Sequence, residues 1–492
     1  MRHPPRHALQ ATLLAFVVSA ATLAPLSDAA AAAAPACSVE YSVTGQWDSG
    51  FQAAVKVTNH GAAKDSWSLS FAFADGQKVT QGWSAKWSQS AAAVTATNES
   101  WNGALPSGGS VSAGFIGSRS GANTAPTAFK LNGVTCDEDT DPTDPTDPTD
   151  PGGDGEAPAL KVSGNKLVDA SGTTRQILGV NRSGAEFMCV QGYGIFDGPV
   201  DDAAVAAIAD WKSNAVRIPL NEECWLGLDN IKPEYAGANY RSAIKELVTK
   251  VKAHGMTPIL EMHWSYGQYT GNSAGCGDIH ATCQKPMPDA RYAPSFWSSV
   301  ASSYKDDPTV VFDLFNEPYP DRATSSISDA WACWKDGGTC PGIGYEVAGM
   351  QDLVDSVRAT GAENVILAGG LAYSNDLGQW LAHRPSDPAG NLAAAWHVYN
   401  FNTCASESCW DSTLAPVAAQ VPLVAGEIGE NTCSHGFIDR VMKWFDDRKL
   451  SYLGWTWNTW DCSSGPSLIS SYDGTPTAFG AGLRDHLRSV NG

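Results

Sequence analysis

The sequence predicts two folded parts, an all-β sandwich followed by an α/β protein of (β/α)8 barrel (TIM barrel) type. Three observations carry this. Residues 37–136 hold short runs that alternate apolar and polar, punctuated by Gly, Ser, Asn and Asp. Residues 140–158 are a proline-rich repeat with almost no apolar content. Beyond Ala159, eight short apolar runs alternate with amphipathic helical patterns.

Taken in order, the chain opens on a basic start, Arg2, His3 and Arg6, before an apolar run from Ala8 to about Leu26. Small residues follow from Ala29 to Ala36. Residues 1–36 therefore read as a secretion signal. A membrane anchor is the competing reading, but Ser19, Thr22 and Pro25 break the run, and no later stretch is apolar enough to span a bilayer. The expected location is extracellular, with no membrane partner.

Residues 37–136 form the first folded part. "WSLSFAF" places Trp67, Leu69, Phe71 and Phe73 on one face of a strand. "FQAAVKVTN" does the same with Phe51, Ala53, Val55 and Val57. About 100 residues with this rhythm suit a sandwich. Residues 137–158 read as a spacer. In "TDPTDPTDPTDPGGDGEAP" the prolines block helix and central strand and the aspartates repel one another. Extended at about 3.1 Å per residue, such a segment spans roughly 60 Å.

Residues 159–492 form the second part. Its strand candidates are "QILGVN", "AVRIPL", "PILEMHW", "VVFDLFNEP", "NVILAGG", "AAAWHVYN", "PLVAGEIGE" and "YLGWTWN". Between them lie helical patterns such as "YRSAIKELVTKVKAHG", where Ile244, Leu247, Val248 and Val251 share a face and Gly255 ends the helix.

The formal net charge is −20, from 52 acids and 32 basic residues, which argues against a nucleic-acid partner. Nine of the acids lie between Asp137 and Glu156. Twelve cysteines point to an oxidising compartment, and no C-x-x-C or H-E-x-x-H spacing suggests a zinc site. The expected pairs are Cys37–Cys136, Cys276–Cys283, Cys333–Cys340 and Cys404–Cys409, with Cys189–Cys224 and Cys433–Cys462 as guesses, since connectivity does not follow from sequence.

Function is sought at the C-terminal ends of the barrel strands. Asn181, Arg217, His263, Trp264, Asn316, Glu317, His397, Tyr399, Glu427 and Trp457 collect there. Barrel interiors are expected to be branched and apolar, so polar groups at most strand ends are not a packing pattern. A lone strand-end glutamate is more often a helix cap or ion-pair partner. Two of them, at strands four and seven, suit glycoside hydrolysis, which needs one acid for the leaving oxygen and a second carboxylate on the sugar carbon or on water. Neighbouring aromatics suit the C–H faces of a sugar. No cofactor or metal is expected.

The strand ends resemble glycoside hydrolase family 5, one of the retaining (β/α)8 glycosidases. The match rests on "RIPL", "EMHW", "FNEP", "WHVY", "AGEIG" and "GWTWN", in order, across nearly all of residues 159–492. The resemblance implies that Glu317 is the acid/base and Glu427 the nucleophile. It implies that Asn316 binds the hydroxyl beside the reacting carbon, and that Arg217 lies under Glu427 and keeps it ionised. His397 and Tyr399 would bond substrate and the two glutamates. His263 and Trp264 would line the cleft, and Trp457 would be its stacking platform. Trp455 reads as a barrel-core aromatic. The loops "NRSGAEFMCVQGYGIFDGP" and "LNEECWLG" depart from those of well-known endoglucanases.

The first part resembles a family 2 carbohydrate-binding module, through "GQWDSGF", "SWSLSF", "VTQGWS", "ESWNGALPSGGS" and "TAFKLNG". The resemblance implies an exposed row of Trp47, Trp83 and Trp101 for cellulose. Trp67 reads as core, and Trp87 is left open. The leading expectation is a monomeric, secreted, retaining endo-β-1,4-glucanase acting on a polysaccharide. The alternatives are a β-mannanase, xyloglucanase or other wall β-glycanase, or, from another class, a non-catalytic wall-binding protein.

Overall fold

The computed structural model describes residues 36–47, 49–121, 123–126, 128–138, 157–266, 284–463 and 465–491. The secretion-signal reading falls on residues outside the described ones, except for Ala36. Most of the spacer and the expected Cys276–Cys283 pair also lie outside them. The five other expected disulfides are formed. Two compact units result, divided between Thr146 and Asp147.

In the first unit nine strands follow one another in the order Lys78–Trp83, Ser110–Ser118, Gly50–Asn59, Cys37–Trp47, Val134–Glu138, Phe129–Leu131, Ser68–Ala72, Ala93–Thr97, Lys86–Ser90. Val134–Glu138 joins the two halves, parallel to the first strand and antiparallel to Phe129–Leu131. The halves fold face to face, because Phe71 and Phe115, distant in that order, stack with centroids 6.4 Å apart. The predicted inward faces are the core: Phe51, Val55, Trp67, Leu69 and Phe71 are buried. Cys37–Cys136 closes the ends across 99 residues. One boundary moves. Asp137 and Glu138 pair with Ser38 and Val39, so the strand runs two residues into the segment read as spacer.

The second unit is a closed barrel of eight parallel strands. They are Leu178–Asn181, Ala215–Asn221, Thr257–Trp264, Val311–Asp313, Ile366–Gly369, Leu392–Tyr399, Leu423–Gly429 and Ser451–Gly454. All eight fall on the predicted runs, four of them reaching one residue beyond. Leu178 pairs with Tyr452 and closes the ring. The helix Ala238–Ala253 buries the predicted Ile244, Leu247, Val248 and Val251. Gly255 follows with φ +72°, a left-handed position where glycine carries no Cβ penalty.

Side chains inside the barrel stack in layers two residues apart. At the floor, Ala215, Ile259, Val311, Leu367, Val424 and Leu453 meet Leu160 and Leu167 from the hairpin Lys161–Ser163/Lys166–Val168, which plugs that end. Two residues further along their strands come Arg217, Glu261 and Asp313, all buried. The expectation of an apolar interior therefore holds only for the floor. The layer above it is ionic, with Arg217 paired to Glu261 and Asp313 and reaching Glu427 at the rim.

Candidate active site

Arg217 is the centre of the site, and its side chain bonds residues on, or just past the end of, other strands. Its Nε donates to Asp313 Oδ2 at 2.9 Å. Nη1 donates to Asn181 Oδ1 at 2.9 Å and to Glu427 Oε1 at 3.0 Å. Nη2 donates to Asn316 Oδ1 at 3.0 Å and lies 3.6 Å from Glu261 Oε2. A planar fork of five donors suits this convergence as an ammonium would not. Burial works against the guanidinium charge, but Glu261, Asp313 and Glu427 together raise its pKa. One cation facing three buried acids leaves negative charge in excess. Burial accordingly pushes Glu261 up to about 8 and Asp313 to about 7, with Arg217 opposing.

Glu317 and Glu427 face each other above this layer. An oxygen of each, with a ring nitrogen of His397, lies within a group spanning no more than 4.8 Å. Glu427 is the better solvated of the two by the protein. Arg217 bonds one oxygen, and the Tyr399 hydroxyl donates to the other at 2.5 Å. Glu317 meets His397 Nδ1 at 3.1 Å. Burial, and then the Glu427 charge, lifts Glu317 well above the ordinary carboxylate range. Burial also raises Glu427, against Arg217, His263 and the Tyr399 bond. A proton shared by the pair therefore resides on Glu317. Burial, reinforced by Arg217 and His263, keeps His397 neutral.

Backbone irregularity aims these groups. Strand pairing shifts register between Trp396 and His397 and again between Ala425 and Ile428, beside the reacting pair. Gly426 leaves room for His397: a Cβ there would sit 2.9 Å from Nε2. Strand four ends at Asp313, and Asn316 N then donates to Met262 O, which holds the Asn-Glu pair against strand three. Glu317, His397 and Glu427 are close enough to offer ligands to a metal ion, but the positive charge already balancing Glu427 is the guanidinium.

The structure brings together Asn181, Arg217, His263, Asn316, Glu317, His397, Tyr399 and Glu427. Trp264 is half-buried at the rim and meets Phe187 at 6.3 Å. Trp457 needs correction. It is fully buried and packs edge-on against Trp211 at 4.7 Å, so it offers no face to a sugar. Trp455, read as core, is the half-buried ring, stacked on His263 at 5.4 Å and 14°. The resemblance placed Trp457 as a residue of the strand end, but strand eight stops at Gly454. Thr456 N then bonds Pro466 O, and the chain turns inward. Sequence reasoning also passed over Glu261, Asp313 and Gln284. The first two carried a signal, an acid two residues beyond an inward apolar position. Gln284 carried none.

In the first unit, Trp83 and Trp101 are 41% and 71% exposed. The Trp83 indole lies over Gly114, where a Cβ would fall 2.4 Å from the ring. The side chain of Trp47 lies outside the described residues. Trp67 is buried, and its Nε1 donates to Asn102 O at 2.8 Å. Trp87 packs on Phe115 at 4.8 Å and belongs to the core edge.

Comparison with known proteins agrees with both units. Residues 37–136 match the cellulose binding domain family, and residues 168–461 match the family "Cellulase (glycosyl hydrolase family 5)". Endoglucanase CelA of Streptomyces lividans is 31% identical over 477 residues, covering 94% of this chain and 93% of that protein. Exoglucanase A of Cellulomonas fimi is 57% identical over 120 residues, which are 24% of this chain and 14% of that protein. A β-glucanase of Saccharophagus degradans, solved with cellotetraose, shares the fold, with a TM-score of 0.53 at 21% identity over 68% of this chain and 94% of that one. The chain belongs to the family 5 glycosyl hydrolases, as a cellulase with an amino-terminal cellulose binding domain.

Proposed function

We propose that this cellulase is a retaining endo-β-1,4-glucanase, with Glu427 as nucleophile and Glu317 as acid/base. The observation that carries the reading is the closeness of the two carboxylates, with oxygens no more than 4.8 Å apart. Retaining enzymes hold their carboxyl groups about 5–5.5 Å apart, whereas inverting enzymes need about 6.5–9.5 Å to admit a water. The division of roles follows from the partners. Glu427, held by Arg217 and Tyr399, attacks the anomeric carbon as Glu317 gives its proton to the leaving oxygen. The C–O bond to the leaving sugar breaks and a glycosyl ester to Glu427 forms. Glu317, now ionised, takes a proton from water, and that water displaces Glu427. Two inversions retain the β configuration.

The endo mode and the β-1,4-glucan preference rest on the relative named endoglucanase, which covers nearly the whole chain. Export is proposed on the five disulfides among the described residues. No helix among the described residues is long and apolar enough to cross a membrane. Action as a monomer is part of the same proposal. The test is the anomeric form of the first product, read by NMR before mutarotation: β is expected, and α refutes the assignment. Glu427→Ala should abolish turnover, and azide should restore part of it as an α-glycosyl azide.

A further inference from the structure

Asn316 has no donor left over. Its Oδ1 accepts from Arg217 Nη2 at 3.0 Å, which fixes the amide so that Nδ2 points the other way. Nδ2 carries two hydrogens. One goes to Gln284 Oε1 at 3.0 Å. The other faces His263 Nε2 at 3.3 Å. His263 Nδ1 lies 2.9 Å from Glu261 Oε2, and a ring proton on Nδ1 given to that oxygen leaves Nε2 free to accept. The orientation of Gln284 is fixed in turn, because its Nε2 donates to the backbone oxygen of Glu317 at 2.8 Å. Both amides are thus set by partners that cannot change sense, a guanidinium and a carbonyl. His263 is 8% exposed and Asn316 3%, whereas Gln284 is half-buried and is the one partner able to withdraw.

We infer that Gln284 is a positioning and specificity-determining residue, whose amide oxygen holds the Asn316 donor in the free enzyme and gives it up to the 2-hydroxyl of the sugar at the cleavage site. This rests on the proposed glycosidase reading, in which Asn316 binds that hydroxyl. An exchange of one hydrogen bond for another is nearly neutral, so Gln284 blunts the enzyme's response to the 2-hydroxyl. It also keeps Asn316 in place when the site is empty. Without Gln284 a sugar lacking that hydroxyl strands a buried N–H, which is costly. The 2-hydroxyl should then matter more.

The test compares 2,4-dinitrophenyl β-cellobioside with its analogue lacking the 2-hydroxyl on the ring bearing the leaving group. The ratio of their kcat/KM values is measured in wild type, Gln284→Ala and Gln284→Met, the last keeping the volume without the amide. The ratio should rise about three- to tenfold in both variants, the worth of one hydrogen bond. Comparing ratios cancels the intrinsic lability of the deoxy substrate and any general loss from altered folding. An unchanged ratio, with both substrates slowed alike, would mean a purely structural glutamine and overturn the inference. A lower ratio would also overturn it, by showing that Gln284 itself holds the hydroxyl. Failure of the glycosidase reading would appear separately, as turnover that survives Glu427→Ala.

Discussion

Trp455 and Trp457 stand two residues apart and should fail in opposite ways. Trp457 is fully buried against Trp211. Removing a buried Trp to Ala costs about 3–5 kcal/mol. Its Nε1 has no hydrogen-bond partner among the described residues, so deletion also relieves an orphaned donor worth about 1 kcal/mol or more. The lower end, about 3 kcal/mol, is therefore expected. At about 2–4 °C per kcal/mol the midpoint should fall by roughly 6–12 °C. Trp457→Phe deletes the orphan while keeping most of the ring, and should cost about half as much or less. Trp455 is half-buried over His263. Its loss removes a stacking face worth about 0.5–1.5 kcal/mol. KM on a soluble cello-oligosaccharide should rise about two- to tenfold, with less than half the thermal shift of Trp457→Ala. Calorimetry and steady-state kinetics on the same preparations give both readings. If Trp457→Ala kept its midpoint and raised KM while Trp455→Ala melted early, the assignment of inner and outer ring would be reversed.

Two further outcomes follow. Glu261 and Asp313 bind protons more tightly folded than unfolded, so the stability they support is full below the ordinary carboxylate range and is lost as pH rises through about 7–8. The thermal midpoint should drop between pH 5 and 8.5, less steeply in Asp313→Asn, and a midpoint that rose over that span would contradict the ionic layer. In the first unit, Trp83→Ala and Trp101→Ala should each weaken binding of residues 37–136 to microcrystalline cellulose without moving its melting point, since both rings are exposed. Trp67→Ala should instead unfold it, and a pull-down beside a thermal melt distinguishes the two.

What the sequence made legible was whatever a local period encodes. Eight apolar runs became eight strands, and the polar groups at their ends converged because parallel strands all present the same end to one face. Trp67 and Phe71 were legible for the same reason, lying on one face of an alternating strand. Two things were not legible, one depending on where a strand stops and the other on partners far away in sequence. Strand eight ends at Gly454, so neither Trp455 nor Trp457 obeys strand geometry, and the resemblance assigned the platform to the buried ring. Gln284 enters the site from a loop, and only its bonds to Asn316 and Glu317 distinguish it.

The ionic layer is the instructive case. Arg217, Glu261 and Asp313 each sit on an inward position where a branched apolar residue would pack well. Replacing buried ions by apolar groups is often neutral or stabilising, so stability alone gives the barrel no reason to keep them. The reason lies one layer higher. Glu427 has to stay ionised in a buried site, and a single guanidinium can do that only if it is itself held in place. Asp313 fixes its Nε edge and Asn181 shares Nη1, so the fork cannot swing away from Glu427. The same fork reaches Asn316, so one rigid cation orients the group beside the acid and the group that attacks. Burial raises the pKa of both acids that anchor it, Glu261 and Asp313, against Arg217, and burial with the Glu427 charge leaves Glu317 its proton. The charge below the site and the proton above it are two consequences of one electrostatic requirement.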